Sequence, residues 1–148
     1  RILAELRTVE NREDDAFFCT IQACSAAEHV WPDDIDDEER LSIAKEYGLA
    51  GDGWYERGEM ESAADMYARC YALLWPLLGK TDDFEVQDLY VDYLLFCGIR
   101  AEQQGNEQEA HMYTQTVISI CKRLILLTDD PKEKERLDKL CRLLRGEE

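Results

Sequence analysis

Residues 53–70 read GWYERGEMESAADMYARC, and the break in this stretch decides the fold. Upstream, Ile43, Tyr47, Ala50 and Trp54 recur at the spacing of one helical face. Gly58 interrupts that pattern, which resumes at once on Ala63, Met66, Tyr67, Cys70, Leu74 and Leu77. A glycine between two periodic runs ends one helix and lets the chain reverse, so the stretch predicts the turn and second rod of an antiparallel helix hairpin.

The same signals extend in both directions. Ile2, Leu3, Leu6 and Val9 mark a short first helix, and Phe17, Ile21, Cys24, Ala27 and Trp31 a second that Pro32 stops. The acidic run DDIDDEER (33–40) suits the N-terminus of the third helix, where the positive end of the helix dipole favours carboxylates. The same run lacks the glycine and distal glutamate of a calcium loop. Gly79 stands where a left-handed exit from the fourth helix is tolerated, and KTDDFE (80–85) supplies caps for a fifth on Val86, Leu89, Tyr93, Leu94 and Cys97. Gly105 closes that helix. Asn106 with Glu109 forms a capping box for a sixth on Ala110, Tyr113, Val117, Ile120, Cys121, Leu124 and Ile125. Asp130-Pro131 opens a last helix on Leu137, Leu140, Cys141 and Leu144. No stretch alternates as a strand does. The expected class is all-α, about seven helices, with hairpins at about 1–31, 37–78 and 83–128 and a capping helix at 131–145 within one domain.

Sliding the sequence over itself by 47 positions brings Gly51 onto Gly98, Gly58 onto Gly105, Ala63 onto Ala110, Tyr47 onto Leu94 and Cys70 onto Val117. Tyr47-x₂-Ala50-Gly51-x₂-Trp54, Ala63-x₃-Tyr67 and Pro76 satisfy the tetratricopeptide pattern of aromatic, glycine, alanine and proline positions. The chain therefore resembles a tetratricopeptide-repeat (TPR) domain. A second copy, Leu94-x₂-Cys97-Gly98-x₂-Ala101 and Ala110-x₃-Thr114, is degenerate at the aromatic positions. The 47-residue interval exceeds the family's ~34, and YALLWPLLGKTDDFEVQDLY (71–90), with its L-G-K connector after the second helix, resembles the long repeats of kinesin light chains. The resemblance implies a right-handed superhelix of stacked hairpins, because one hairpin cannot bury its apolar face alone. It places Gly51 and Gly98 where two helices approach closely.

The family binds peptides on the concave surface lined by the first helix of each hairpin. Carried onto this sequence, the implied partner-binding residues are Lys45, Asp52, Tyr55 and Glu56, then Asp92, Leu95, Ile99, Glu102 and Gln103. Carboxylates interspersed with apolar side chains favour a basic-amphipathic peptide or helix. Asp52 and Ile99 stand where the family's clamp for acidic tails has polar or basic residues, which argues against acidic ligands.

Composition agrees with an interaction role. Thirty-three acidic against 17 basic residues give a net charge of −16, a field that repels nucleic acid and anionic membranes. That charge lies almost entirely before Asp129, since the last twenty residues hold six basic and seven acidic side chains. The six cysteines are widely spaced without a C-x-x-C pair, as expected of reduced thiols in the cytoplasm. No run reaches the ~18 apolar residues of a membrane span. His29 and His111 fall in no triad or metal spacing, and Cys19, Cys24 and His29 point to different sides of a helix. Neither catalysis nor a cofactor is expected. The chain starts at Arg1 without methionine, which reads as a domain of a longer protein, such as a regulatory or sensor segment of a larger signalling or transcription protein. A carboxylate-metal hydrolase is the enzymatic alternative, and an uncovered N-terminal end would permit self-association.

Overall fold

The computed structural model describes Cys24, residues 35–80 and residues 83–146. The first two expected helices, apart from Cys24, lie outside the described residues. Among the described residues there are five helices and no strand: α1 (Asp37–Glu56), α2 (Met60–Leu78), α3 (Phe84–Gln103), α4 (Glu107–Leu127) and α5 (Pro131–Leu144). The chain divides into two compact units between Leu77 and Leu78.

Three aspartates start three helices. Asp36 accepts a hydrogen bond from the Glu39 amide, Asp83 from that of Glu85 and Asp130 from that of Lys132, so each supplies an acceptor for an otherwise orphan donor of the first turn. Their spacing is the 47-residue interval of the sequence, repeated twice. The interval thus reaches beyond the two hairpins, and α5 begins where the first helix of a further copy begins. At Asn106 half of the expected capping box is formed: the Glu109 amide donates to Asn106 Oδ1 at 3.3 Å, but the Glu109 carboxylate accepts from Asn106 Nδ2 at 2.6 Å, because the Asn106 backbone N–H is already given to the Ala101 carbonyl.

The two hairpin turns repeat bond for bond. Gly58 and Gly105 both stand at φ +78°, a conformation that costs glycine little. The amides of Gly58 and Glu59 bond to the carbonyls of Tyr55 and Trp54, and those of Gly105 and Asn106 to Glu102 and Ala101. Both are Schellman closures, which satisfy carbonyls the helix leaves over. Gly79 does not use the left-handed exit open to it, for among the described residues the positive-φ glycines are Gly58, Gly105 and Gly146. Pro76 lies inside α2, and its missing N–H would have served the carbonyl of Ala72, an exposed residue.

In the first unit the buried face of α1 is Ala44, Tyr47, Gly48, Ala50, Gly51 and Gly53, and that of α2 is Ala63, Tyr67, Cys70, Leu73, Leu74 and Leu77. Small residues on α1 receive large ones from α2. A Cβ built on Gly51 would lie 2.9 Å from Tyr67 Cε2, so the glycine is what lets the tyrosine ring lie flat on α1. The Tyr67 hydroxyl donates to Asp52 Oδ1, while the Tyr47 hydroxyl reaches the Cys24 carbonyl at 3.3 Å.

The second unit packs α4 against α3 and α5 around Val91, Leu94, Val117, Ile120, Cys121, Leu124, Leu137 and Cys141. Gly98 departs from expectation here. A Cβ at this position would meet Tyr113 Cβ at 3.5 Å, an ordinary contact, so close approach does not require glycine as it does at Gly51. Arg136 on α5 reaches Asp88 of α3 at 2.8 Å while holding Glu133 on its own helix, which ties the last helix to the first of this unit. Arg123 donates to the buried Gln87 at 3.1 Å. Five cysteines among the described residues carry free thiols. Burial, reinforced by the neighbouring Cys141, pushes the Cys121 thiol up to about 12, which keeps it protonated and apolar in character.

Candidate functional site

On α3 the implied residues Asp92, Leu95, Ile99 and Glu102 advance by three or four positions along one stripe, and Gln103, four beyond Ile99, borders it. Asp92, Glu102 and Gln103 are exposed, and Leu95 and Ile99 half-buried. Leu95, Ile99 and Glu102 come together on the wall of one pocket of about 120 Å³. Leu94 and Gly98 complete the α3 side; Ala110, Tyr113, Thr114 and Val117 of α4 and Leu144 of α5 form the rest.

The chemistry of this pocket is mostly apolar. The Thr114 hydroxyl bonds to the Ala110 carbonyl of its own helix at 3.0 Å, and the Tyr113 hydroxyl donates to Glu109 at 3.3 Å. Burial raises the Tyr113 hydroxyl above its usual pKa, with Cys97 and Glu109 adding to the effect, so the phenol stays neutral. The Cys97 thiol is likewise raised, chiefly by burial. Glu102 is the one carboxylate among the lining residues, and it is exposed. The recess is thus an apolar concavity with one anionic side chain in its lining, the general make-up of a binding pocket.

In the first unit Lys45, Tyr55 and Glu56 of α1 are exposed. Asp52 is half-buried and has a definite role, since it accepts the Tyr67 hydroxyl across the hairpin. Burial raises its carboxyl above the usual range, against the lowering influence of the Tyr67 hydrogen bond and with a further push from Glu56. Its first task is therefore to fasten α2 to α1.

The pocket's α4 wall and Leu144 were not among the implied binding residues. A signal for them existed in Thr114, which stands where the first copy has Tyr67. A small residue in place of an aromatic ring leaves space. Among the described residues, no group of three His, Cys, Asp or Glu side chains could hold a metal ion, and no helix is long and apolar enough to cross a membrane. Compared with known proteins, the chain matches no family model, no curated protein and no solved structure.

Proposed function

We propose that this chain is a protein-interaction domain of the TPR type that receives a basic-amphipathic peptide or helix on the first helices of its hairpins. One observation carries the reading: three residues implied by the motif alone, Leu95, Ile99 and Glu102, line a single apolar pocket. Further support comes from the bond-for-bond repetition of the hairpin turns and from the glycine seat of Tyr67, both of which belong to stacked helix hairpins. Leu95 and Ile99 would anchor the partner's apolar face. Glu102, Asp92 and the net charge of −16 would attract its lysines and arginines and speed encounter. The proposed activity is binding without turnover or cofactor, in a cytoplasmic setting that suits the cysteines packed as small apolar residues at helix interfaces. Neither nucleic acid nor a membrane surface is a partner in this proposal.

The test is a fluorescence-anisotropy titration with labelled amphipathic peptides of equal length, one rich in lysine and leucine, one with glutamate in place of each lysine. The basic peptide should bind the wild-type chain and lose at least tenfold in affinity with Ile99→Asp or Glu102→Lys. Association should slow as salt is raised past the point where the Debye length falls below ~8 Å. Equal affinity for the two peptides, or indifference to both substitutions, would remove the proposal.

A further inference from the structure

The two hairpins solve the same packing position differently. In the first, Gly51 on α1 is covered by the ring of Tyr67, whose hydroxyl is received by Asp52. Moving each residue on by 47 positions gives Gly98, Thr114 and Ile99. The floor is kept, the ring is replaced by a threonine, and the acceptor for its hydroxyl is replaced by an isoleucine. Gly98, Thr114 and Ile99 all line the pocket of the second unit. The pocket is thus the place that an aromatic ring fills in one copy and that the chain leaves open in the other.

What could fill it follows from size and polarity. An apolar cavity of about 150 Å³ takes up a benzene molecule. The pocket here, at about 120 Å³, is somewhat smaller but is open toward the exposed Glu102, so a phenyl ring would enter it with one edge left at the mouth. With Ile99 in the position of Asp52, a phenolic hydroxyl at the same depth would lose its acceptor, so an unsubstituted ring is preferred to tyrosine. Glu102 is one helical turn beyond Ile99, within reach of a cation beside that ring.

The geometry points to a socket for a phenylalanine side chain of a basic partner segment, which completes the second hairpin as Tyr67 completes the first. The inference rests on reading this face as the partner-binding surface, and it adds the identity of the anchor: phenylalanine with lysine or arginine next to it. Aromatic anchors seated in a pocket dominate binding energy at interfaces generally.

The test uses a probe without charge, so that its outcome is separate from that of the basic peptides. N-acetyl-L-phenylalaninamide is titrated into the full isotopically labelled chain and followed by backbone amide NMR, with the alanine and tyrosine analogues as comparisons. Saturable shifts centred on Gly98, Ile99 and Thr114 are expected with the phenylalanine probe, several-fold weaker binding with tyrosine and none with alanine. Thr114→Phe supplies the ring from within, and should raise the thermal midpoint while weakening the probe at least tenfold. Ala110→Leu fills the same space from another position and should also exclude the probe, which keeps the test intact if Thr114→Phe does not fold. Shifts equal for alanine and phenylalanine, tighter binding of tyrosine, or undiminished binding by a folded Thr114→Phe or Ala110→Leu chain would overturn the socket. Concentration-dependent shifts at Gly98 and Thr114 without any probe would overturn it too, by showing that a second copy is the occupant. Failure of the probe while basic peptides still bind would overturn the socket and leave the acidic groove standing; failure of both would remove the groove as well.

Discussion

Alanine at the two matched glycines should act in opposite directions. At Gly51 the new Cβ would lie 2.9 Å from Tyr67 Cε2 and 3.0 Å from Cδ2 and Cζ, well inside contact distance. The ring cannot simply swing away, because it is buried and its hydroxyl is held by Asp52 on the same helix as the glycine. Displacing a packed group of this kind costs about 1–3 kcal/mol. Alanine in a helix interior returns about 0.8–1.0 kcal/mol relative to glycine. The net expectation for Gly51→Ala is a loss of roughly 0–2 kcal/mol. At Gly98 the new Cβ meets Tyr113 Cβ at 3.5 Å, which asks nothing of its neighbour. Gly98→Ala should then keep the whole propensity gain of about 1 kcal/mol as added stability. Urea unfolding followed by far-ultraviolet circular dichroism, with the two alanine variants beside the wild type, measures both. Because Tyr67→Leu has a cost of its own, the clash is isolated by a double-mutant cycle: Gly51→Ala should cost less in the Tyr67→Leu background, where the ring is gone, than in the wild type. If Gly51→Ala stabilises as much as Gly98→Ala does, Tyr67 is not seated on α1 and the comparison of filled and open sockets fails with it.

Other outcomes follow from the caps, turns and the buried carboxyl. Asp36→Ala, Asp83→Ala and Asp130→Ala each remove a side-chain acceptor from a first turn and should cost about 0.5–2 kcal/mol apiece, with hydrogen exchange showing the loss in the helix concerned. Gly58→Ala and Gly105→Ala place a side chain at φ +78° with no other atom within 4 Å of the new Cβ, so only backbone strain acts. The two should therefore lose nearly equal stability, about 1–2 kcal/mol each, by thermal melting. The Asp52 carboxyl is raised by burial, so its folded form holds the proton more tightly than the unfolded chain does. The stability this gives is fully present below the unfolded value of about 3.9 and is lost as pH rises through the higher folded one. Asp52→Asn keeps an acceptor for Tyr67 and escapes that loss, so its melting temperature relative to wild type should climb over that window; a falling difference would contradict the assignment.

The helices of residues 37–144 were legible because local and global preferences agree there. Asp36, Asp83, Asn106 and Asp130 are cap residues at the start of periodic runs, and Gly58 and Gly105 close two of them. Gly79 shows the limit of such signals, because glycine permits a left-handed exit without requiring one, and only backbone geometry distinguishes the two cases. Gly98 differs for a related reason: the register shows where helices meet, but what touches the glycine depends on the facing helix, the Tyr67 ring at Gly51 and only Tyr113 Cβ at Gly98. Leu95, Ile99 and Glu102 were identified from the motif's facing positions on one helix. Their companions Tyr113, Thr114 and Leu144 come from two other helices, and a pocket shared by three rods has no signature along any one of them.

The recurrence of Asp36, Asp83 and Asp130 as helix starts gives the chain a unit of growth. Writing residues 83–129 twice would present the same aspartate at the splice and the same helix phase after it, so the product should gain a hairpin without disturbing its neighbours. A single residue added within that span would instead turn the following helix by about 100° and point its apolar face away from its seat. On that basis length would be edited in whole modules, and whether an added module carries a filled or a vacant seat would be set at two positions, those of Ile99 and Thr114, which hold the acceptor and the ring in the first copy.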